Sequence, residues 1–360
     1  MAQGKLRVLI VDDSGVFRGY WGRLLSGESD IEVVTTAVSA KAALEALAYH
    51  SIDLVLLDVE MPEMSGLEAI PHFLKAKPEL KILIASSLTS SAAGRVTVEA
   101  LTVGAHDFIG KPSSLVAGGD GSDVRANLLE KIRALSPYSG RVLGAGESKA
   151  PGGANAQAGD SRTAPRISGP VQVIAIGAST GGPNALSLVL SKLAESVRQP
   201  IVIVQHMPAN LTAMLAERLG RDCKRPCAEG KDGTVLRQGS VYVAPGGRHM
   251  TVRRVGSDLV LGLNDDPPEN FCRPAVDVLF RSVAEACSNA SLGVVLTGMG
   301  EDGKRGSEAL RACGAAVVAQ DEASSVVWGM PGAVHRAGLA SYTLPLTSIS
   351  EKVSEMAARK

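Results

Sequence analysis

A chain of 360 residues with 37 basic and 37 acidic side chains carries no net charge, which gives no general reason to expect nucleic acid or an acidic membrane as partner. Its 45% hydrophobic and 21% charged residues are ordinary for soluble globular protein, and the length favours two or three domains. No apolar run approaches the ~18 residues of a membrane span and the chain starts almost at once into a strand, so neither transmembrane helix nor signal peptide is expected, and the expected location is the cytoplasm.

Residues 1–135 alternate strand and helix signals: RVLIVDD, a helix near Arg18 to Leu25, EVVTTA, KAALEALAYH, LVLLDV, a helix from Leu67, KILIAS, a helix near Val96 to Val103, DFIG, and a helix from Val124 to Leu135. Short apolar strands separated by helices predict a parallel sheet covered on both faces, with its chemistry at the strands' C-terminal ends. Those ends carry acids. Asp12 and Asp13 close the first strand and Asp58 the third, its neighbour in a flavodoxin-like strand order. Clustered carboxylates repel unless a hard cation sits among them, and the small number of oxygen ligands suits Mg²⁺. Lys111 closes the fifth strand and Ser86 the fourth, one able to neutralise added charge and the other to donate a hydrogen bond.

VDDS, DVEMPEMSG, SS and KP together resemble a response-regulator receiver domain. That resemblance implies phosphoryl acceptance by Asp58, Mg²⁺ held by Asp12, Asp13, Asp58 and the Glu60 carbonyl, and a switch read by Ser86 and Lys111. Two departures are Ser65, where Asp is commoner, and Pro71, which is expected to kink the helix after Asp58.

From 136 to 170 the periodicity stops, and 22 of the 35 residues are Ala, Gly, Ser or Pro. Such a segment buries too little apolar surface to offset its ordering entropy and is expected to be a flexible linker.

A second α/β domain is expected over 171–360, with strands VQVIAIG, PIVIVQH, SVYVA and LGVVLTG. The first of them breaks at Gly177 into GASTGGP, which puts Ser179 in a strand-to-helix elbow where helix N-terminal amides can stabilise an oxyanion. Glycines in that place also suit a dinucleotide pyrophosphate, but a dinucleotide site wants an acid at the end of the next strand, about 20 residues on. That strand delivers Gln205 and His206 instead. A further buried strand opens into TGMGEDG and supplies Asp302. Ser179, His206 and Asp302 are thus the parts of a nucleophile, base and orienter set. His249 is the alternative base, and Asp277, expected to face solvent or a partner charge, the alternative acid. The five cysteines, scattered over 223–313, form no disulfide framework, and Cys223 with Cys227 is at most half a zinc site.

GASTGGP, QHMP, VYVAPGGRHM, RPAVDVLF, VLTGMGEDG and AQDEASSVVWGMP look like the catalytic domain of chemotaxis protein-glutamate methylesterases, the CheB family, which also carries an N-terminal receiver. The resemblance implies Ser179 as nucleophile, His206 as base and Asp302 as orienting acid, with Thr180 and the Met299 backbone lining the oxyanion site. Ala275 and Trp328 are mild departures. Implied with it are a flavodoxin-like receiver, a doubly wound catalytic domain without cofactor, and phosphorylation-controlled removal of glutamate methyl esters, with glutamine deamidation, on chemoreceptor helices. The partners so implied are methylated receptor helices and a histidine kinase as phosphodonor, in the cytoplasm or recruited to receptor clusters, without membrane insertion or nucleic acid. A response regulator whose second domain only binds a partner is the competing reading, and a DNA-binding regulator is disfavoured by the neutral charge.

Overall fold

Apolar, β-branched runs too short for helices set the frame of both halves. The computed structural model describes residues 4–88, 90–112, 122–136 and 170–359. Apart from its two end residues, the linker expected over 136–170 lies outside the described residues.

The first half runs β1 (Leu6–Val11), α1 (Gly15–Leu25), β2 (Ile31–Ala37), α2 (Ala40–Tyr49), β3 (Leu54–Asp58), α3 (Gly66–Ala76), β4 (Lys81–Ser86), α4 (Ser91–Val103), β5 (Asp107–Gly110) and α5 (Ser122–Ala134). The sheet is parallel with order β2-β1-β3-β4-β5, the flavodoxin-like arrangement expected. Ser65, the residue that departs from the receiver pattern, caps α3: its hydroxyl accepts from the Glu68 amide and Glu68 accepts from the Ser65 amide, a capping box. Pro71 lies within α3 without ending it.

The second half runs β6 (Val173–Ala178), α6 (Gly182–Ser191), β7 (Ile201–Gln205), α7 (Ala209–Cys223), β8 (Cys227–Glu229), β9 (Val241–Val243), β10 (His249–Val255), β11 (Asp258–Asn264), α8 (Val276–Cys287), β12 (Ser291–Val295), α9 (Lys304–Ala312), β13 (Ala316–Gln320), α10 (Met330–Arg336), β14 (Tyr342–Leu344) and α11 (Leu346–Ala357). Seven strands form one sheet in the order β14-β13-β12-β6-β7-β9-β8, with every pairing parallel. Apolar clusters cover both of its faces, as a doubly wound domain requires. The sequence reading missed β8, β13, β14 and the antiparallel β10–β11 hairpin, which packs on α8. No helix is long and apolar enough to cross a membrane among the described residues.

The halves touch through α4, which lies against α6 and α7, and one apolar cluster runs from the first sheet into the second. Gly94 on α4 faces Leu211 and Met214 of α7, so closely that a β-carbon there would come within 2.9 Å of the Met214 sulfur. Exposed pairs Arg95–Glu217 and Arg221–Glu99 flank this contact.

Candidate active site and its receiver crevice

In the first half Asp12, Asp13 and Asp58 bring carboxylate oxygens within 4.8 Å of one another. Lys111 Nζ stands 2.8 Å from both Asp12 and Asp58. Burial pushes the Asp58 carboxyl up to about 6; Lys111 draws it down against that, and Asp12 adds to the rise. Three carboxylates packed this closely want a divalent cation, and the oxygen-only donor set fits a hard one. Ser86 is buried and accepts a hydrogen bond from Thr97 Oγ1 at 2.9 Å. Glu60 is exposed, with its amide donating to Asp58 Oδ1.

In the second half β12, β6 and β7 are adjacent, so their C-terminal ends open on one crevice at the point where strand order reverses. Ser179 follows β6, His206 follows β7, and Asp302 sits in the loop after β12. The elbow turns on Gly181, whose φ of +77° is strained for any residue with a β-carbon. A β-carbon on Gly298 would come within 2.8 Å of the Ser179 β-carbon, so only glycine lets the loop after β12 close on the serine.

Asp302 is buried, with Oδ2 2.8 Å from His206 Nε2. It also accepts from the amides of Val276, Asp277 and Gly303 and from Asn270 Nδ2. The first two amides open α8, so the carboxylate caps a helix N-terminus, where negative charge is favoured. Burial alone would raise its pKa, but His206 and these amides outweigh it and hold it low.

Asp277 does not face solvent, correcting the expectation from sequence. It is buried, accepts from the Gly306 amide at 2.7 Å and from Asn270 Nδ2 at 2.9 Å, and burial raises its pKa. Two neighbouring acids driven in opposite directions have different tasks, and the one kept ionised on His206 is Asp302. His249 is buried away from the serine: Nδ1 accepts from the Ala275 amide, which leaves Nε2–H to donate to the Pro267 carbonyl at 3.1 Å. Both of its nitrogens are in structural use.

His206 is bonded through Nε2 to Asp302, while its Nδ1 lies 3.5 Å from Cys272 Sγ. Ser179 lines the same crevice, but no hydrogen bond joins its hydroxyl to His206 among the described residues. Burial disfavours a charged imidazole, but the bonds and charges of Asp302 and Cys272 prevail and bring His206 up to about 9. A group raised from the ordinary 6.5 stabilises the fold fully below that value, and the contribution is lost as pH climbs through about 9. The shift moves to higher pH the range over which the imidazole is free to accept a proton. Turnover by the unphosphorylated chain should rise with pH toward about 9, and Cys272→Ala should move that rise to lower pH; a pH–rate profile checks both.

The first half closes over the elbow. The Gly181 amide donates to the His106 carbonyl at 2.8 Å, and Thr180 Oγ1 donates to Asp107 Oδ2 at 2.6 Å. Asp107 Oδ1 holds Lys131 Nζ at 2.8 Å. What is left between the halves is a crevice of about 100 Å³, lined by Ser179, Thr180, His206, Asp107, Phe108 and Lys131. That is room for about three waters and not for a protein substrate. Met299, expected to line the oxyanion site, is half-buried beside Gly298.

Sequence reading missed Asn270, Cys272, His106 and Asp107. The first two reach Asp302 and His206 through a turn with no periodic signature, and the last pair sits at the N-terminal end of β5, away from the strand ends where α/β chemistry is sought. Cys223 and Cys227 are half-buried, and burial raises both thiols, Cys227 to about 12, which opposes the thiolates a zinc site needs.

Residues 8–117 match the family model described as response regulator receiver domain, and residues 174–353 the one described as CheB methylesterase. A protein-glutamate methylesterase/protein-glutamine glutaminase of Paramagnetospirillum magneticum is 46% identical, over 100% of this chain and 98% of its own length. One from Rhodospirillum rubrum is 44% identical over 99% and 96%. The crystal structure of the Thermotoga maritima CheB methylesterase catalytic domain covers 51% of this chain and 98% of its own, at 37% identity and a TM-score of 0.50. A serine elbow, a buried His–Asp pair and an acid-lined receiver, matched along their whole length by such relatives, make this chain a member of the CheB methylesterase family with its receiver domain attached.

Proposed function

We propose that the protein is a phosphorylation-controlled serine hydrolase that demethylates glutamate methyl esters, and deamidates glutamines, on the cytoplasmic helices of chemoreceptors. The observation that carries this is the His206–Asp302 pair opening on the same crevice as Ser179, beneath a receiver that covers it. Ser179 Oγ attacks the ester carbonyl while His206 takes its proton at Nδ1, the nitrogen not bonded to Asp302, exchanging its contact with Cys272 Sγ for the serine. The tetrahedral oxyanion is held by the elbow, with Thr180 and the Met299 backbone as its lining, and collapses to an acyl-serine as His206 returns its proton to the departing methoxide, releasing methanol. Water, deprotonated by the same histidine, then releases the glutamate; a glutamine substrate loses ammonia by the same route.

In the receiver, Asp12, Asp13, Asp58 and the Glu60 carbonyl would hold Mg²⁺, which offsets charge on a transferring phosphoryl group. Asp58 accepts the phosphoryl group from a histidine kinase, and Ser86 and Lys111 engage it. The chain functions in the cytoplasm, where receptor tails and kinase are found, and it needs neither membrane insertion nor nucleic acid. Methanol released from methylated receptor by the purified chain, with and without a small phosphodonor, is the test. Release that the phosphodonor stimulates is expected; none under either condition would leave only a partner-binding output domain.

A further inference from the structure

Phe271 is the most exposed large apolar side chain among the described residues, at 103% of its reference area, and therefore packs on nothing. It sits at the tip of a tight turn in which Glu269 and Cys272 exchange both backbone hydrogen bonds, at 3.1 and 2.9 Å. The two central residues, Asn270 and Phe271, have φ of +52° and +61°. Hairpin turns with two left-handed residues are usually spelled Asn-Gly. Asn tolerates that conformation, whereas a bulky side chain at the second position strains the backbone.

The turn is nonetheless held firmly. Asn270 bridges Asp277 and Asp302, Cys272 Sγ meets His206, and the Glu269 carboxylate takes both arms of Arg281 at 2.8 and 2.6 Å. Local rules broken without a packing gain, in a segment clamped to the catalytic groups, point to use by a ligand. Cys272, next to Phe271 in this turn, lies 3.5 Å from His206 Nδ1, so the tip stands beside the histidine that a substrate side chain must reach. On a helix, residues three and four positions from the reacting glutamate share its face. Phe271 has no polar atom to offer them.

We infer that Phe271 is a specificity residue that receives an apolar side chain of the substrate helix, one turn away from the modified glutamate. This rests on the function proposed above. Because the turn is fixed before binding, docking loses little conformational freedom.

The test is steady-state methanol release from methylated receptor by the full chain with phosphodonor, comparing wild type with Phe271→Gly and Phe271→Tyr. Burial of one aromatic side chain predicts a KM about 10-fold higher for Phe271→Gly at unchanged kcat, with Phe271→Tyr within about threefold of wild type. The melting temperature of Phe271→Gly should be equal or higher, because glycine relieves the turn. A KM within twofold of wild type, a loss confined to kcat, or equal losses for Gly and Tyr would each overturn the assignment. No methanol from the wild type would instead sink the proposed function itself.

Discussion

Ser179→Ala should lower methanol release by about three to six orders of magnitude, and His206→Gln should do the same, because in the proposed mechanism these two groups make and unmake the acyl bond together. Asp302→Asn should cost less, about two to four orders, since the acid orients and stabilises the imidazole without handling the transferred proton. Asp302 has a second task that a simple triad does not impose. It takes the amides of Val276, Asp277 and Gly303, so Asp302→Ala would leave three buried donors unmatched at about 1–3 kcal/mol each and depress the melting temperature along with activity. The asparagine keeps one acceptor oxygen for the Asp277 and Gly303 amides but sets an NH2 against the Val276 amide, so its melting temperature should fall less than that of Asp302→Ala. Near-wild-type release by a Ser179→Ala protein with a native circular dichroism spectrum would remove the serine mechanism.

Local chemistry made most of this site legible before folding. Ser179 and His206 each follow a buried strand directly, and in a parallel sheet that position alone sends neighbouring strand ends to one crevice. Asp12, Asp58 and Lys111 were readable for the same reason. Asp277 was not, because it stands in the first turn of α8, where an acid ordinarily meets solvent and the helix dipole. What buries it is the close approach of α9: a β-carbon at Gly306 would come within 2.5 Å of the Phe280 β-carbon, a packing that no spacing in α8 announces. Asn270 and Cys272 were hidden likewise, since a turn read residue by residue gives no hint that its side chains close on His206 and Asp302. Asp107 carries no such signal, because its contact is with the other domain and nothing in the pattern of one domain's strands points across to a second.

The receiver should hold the enzyme off through Asp107, and Asp107→Ala should raise unphosphorylated turnover about tenfold, whereas Arg95→Ala should change it less than twofold. The two contacts differ in setting. Thr180 to Asp107 is a buried, charge-assisted bond of 2.6 Å, worth about 1.5–3 kcal/mol. Arg95 and Glu217 are 58% and 57% exposed, and such pairs contribute about 0–1 kcal/mol. The strand β5 gives the latch its connection to the switch, for His106 and Asp107 stand at its start and Lys111 follows its end. A phosphoryl dianion on Asp58 competes for the ammonium that now sits 2.8 Å from both Asp12 and Asp58, and any shift of Lys111 is carried along those few residues to the elbow. Asp58→Asn should therefore stay slow with or without phosphodonor, and Asp107→Ala combined with Asp58→Asn should regain the fast rate, which places the latch downstream of the phosphoryl site. The measurement is methanol release by full-length proteins of equal melting temperature. An Asp107→Ala enzyme no faster than wild type without phosphodonor would mean that the receiver activates by contact rather than by uncovering Ser179.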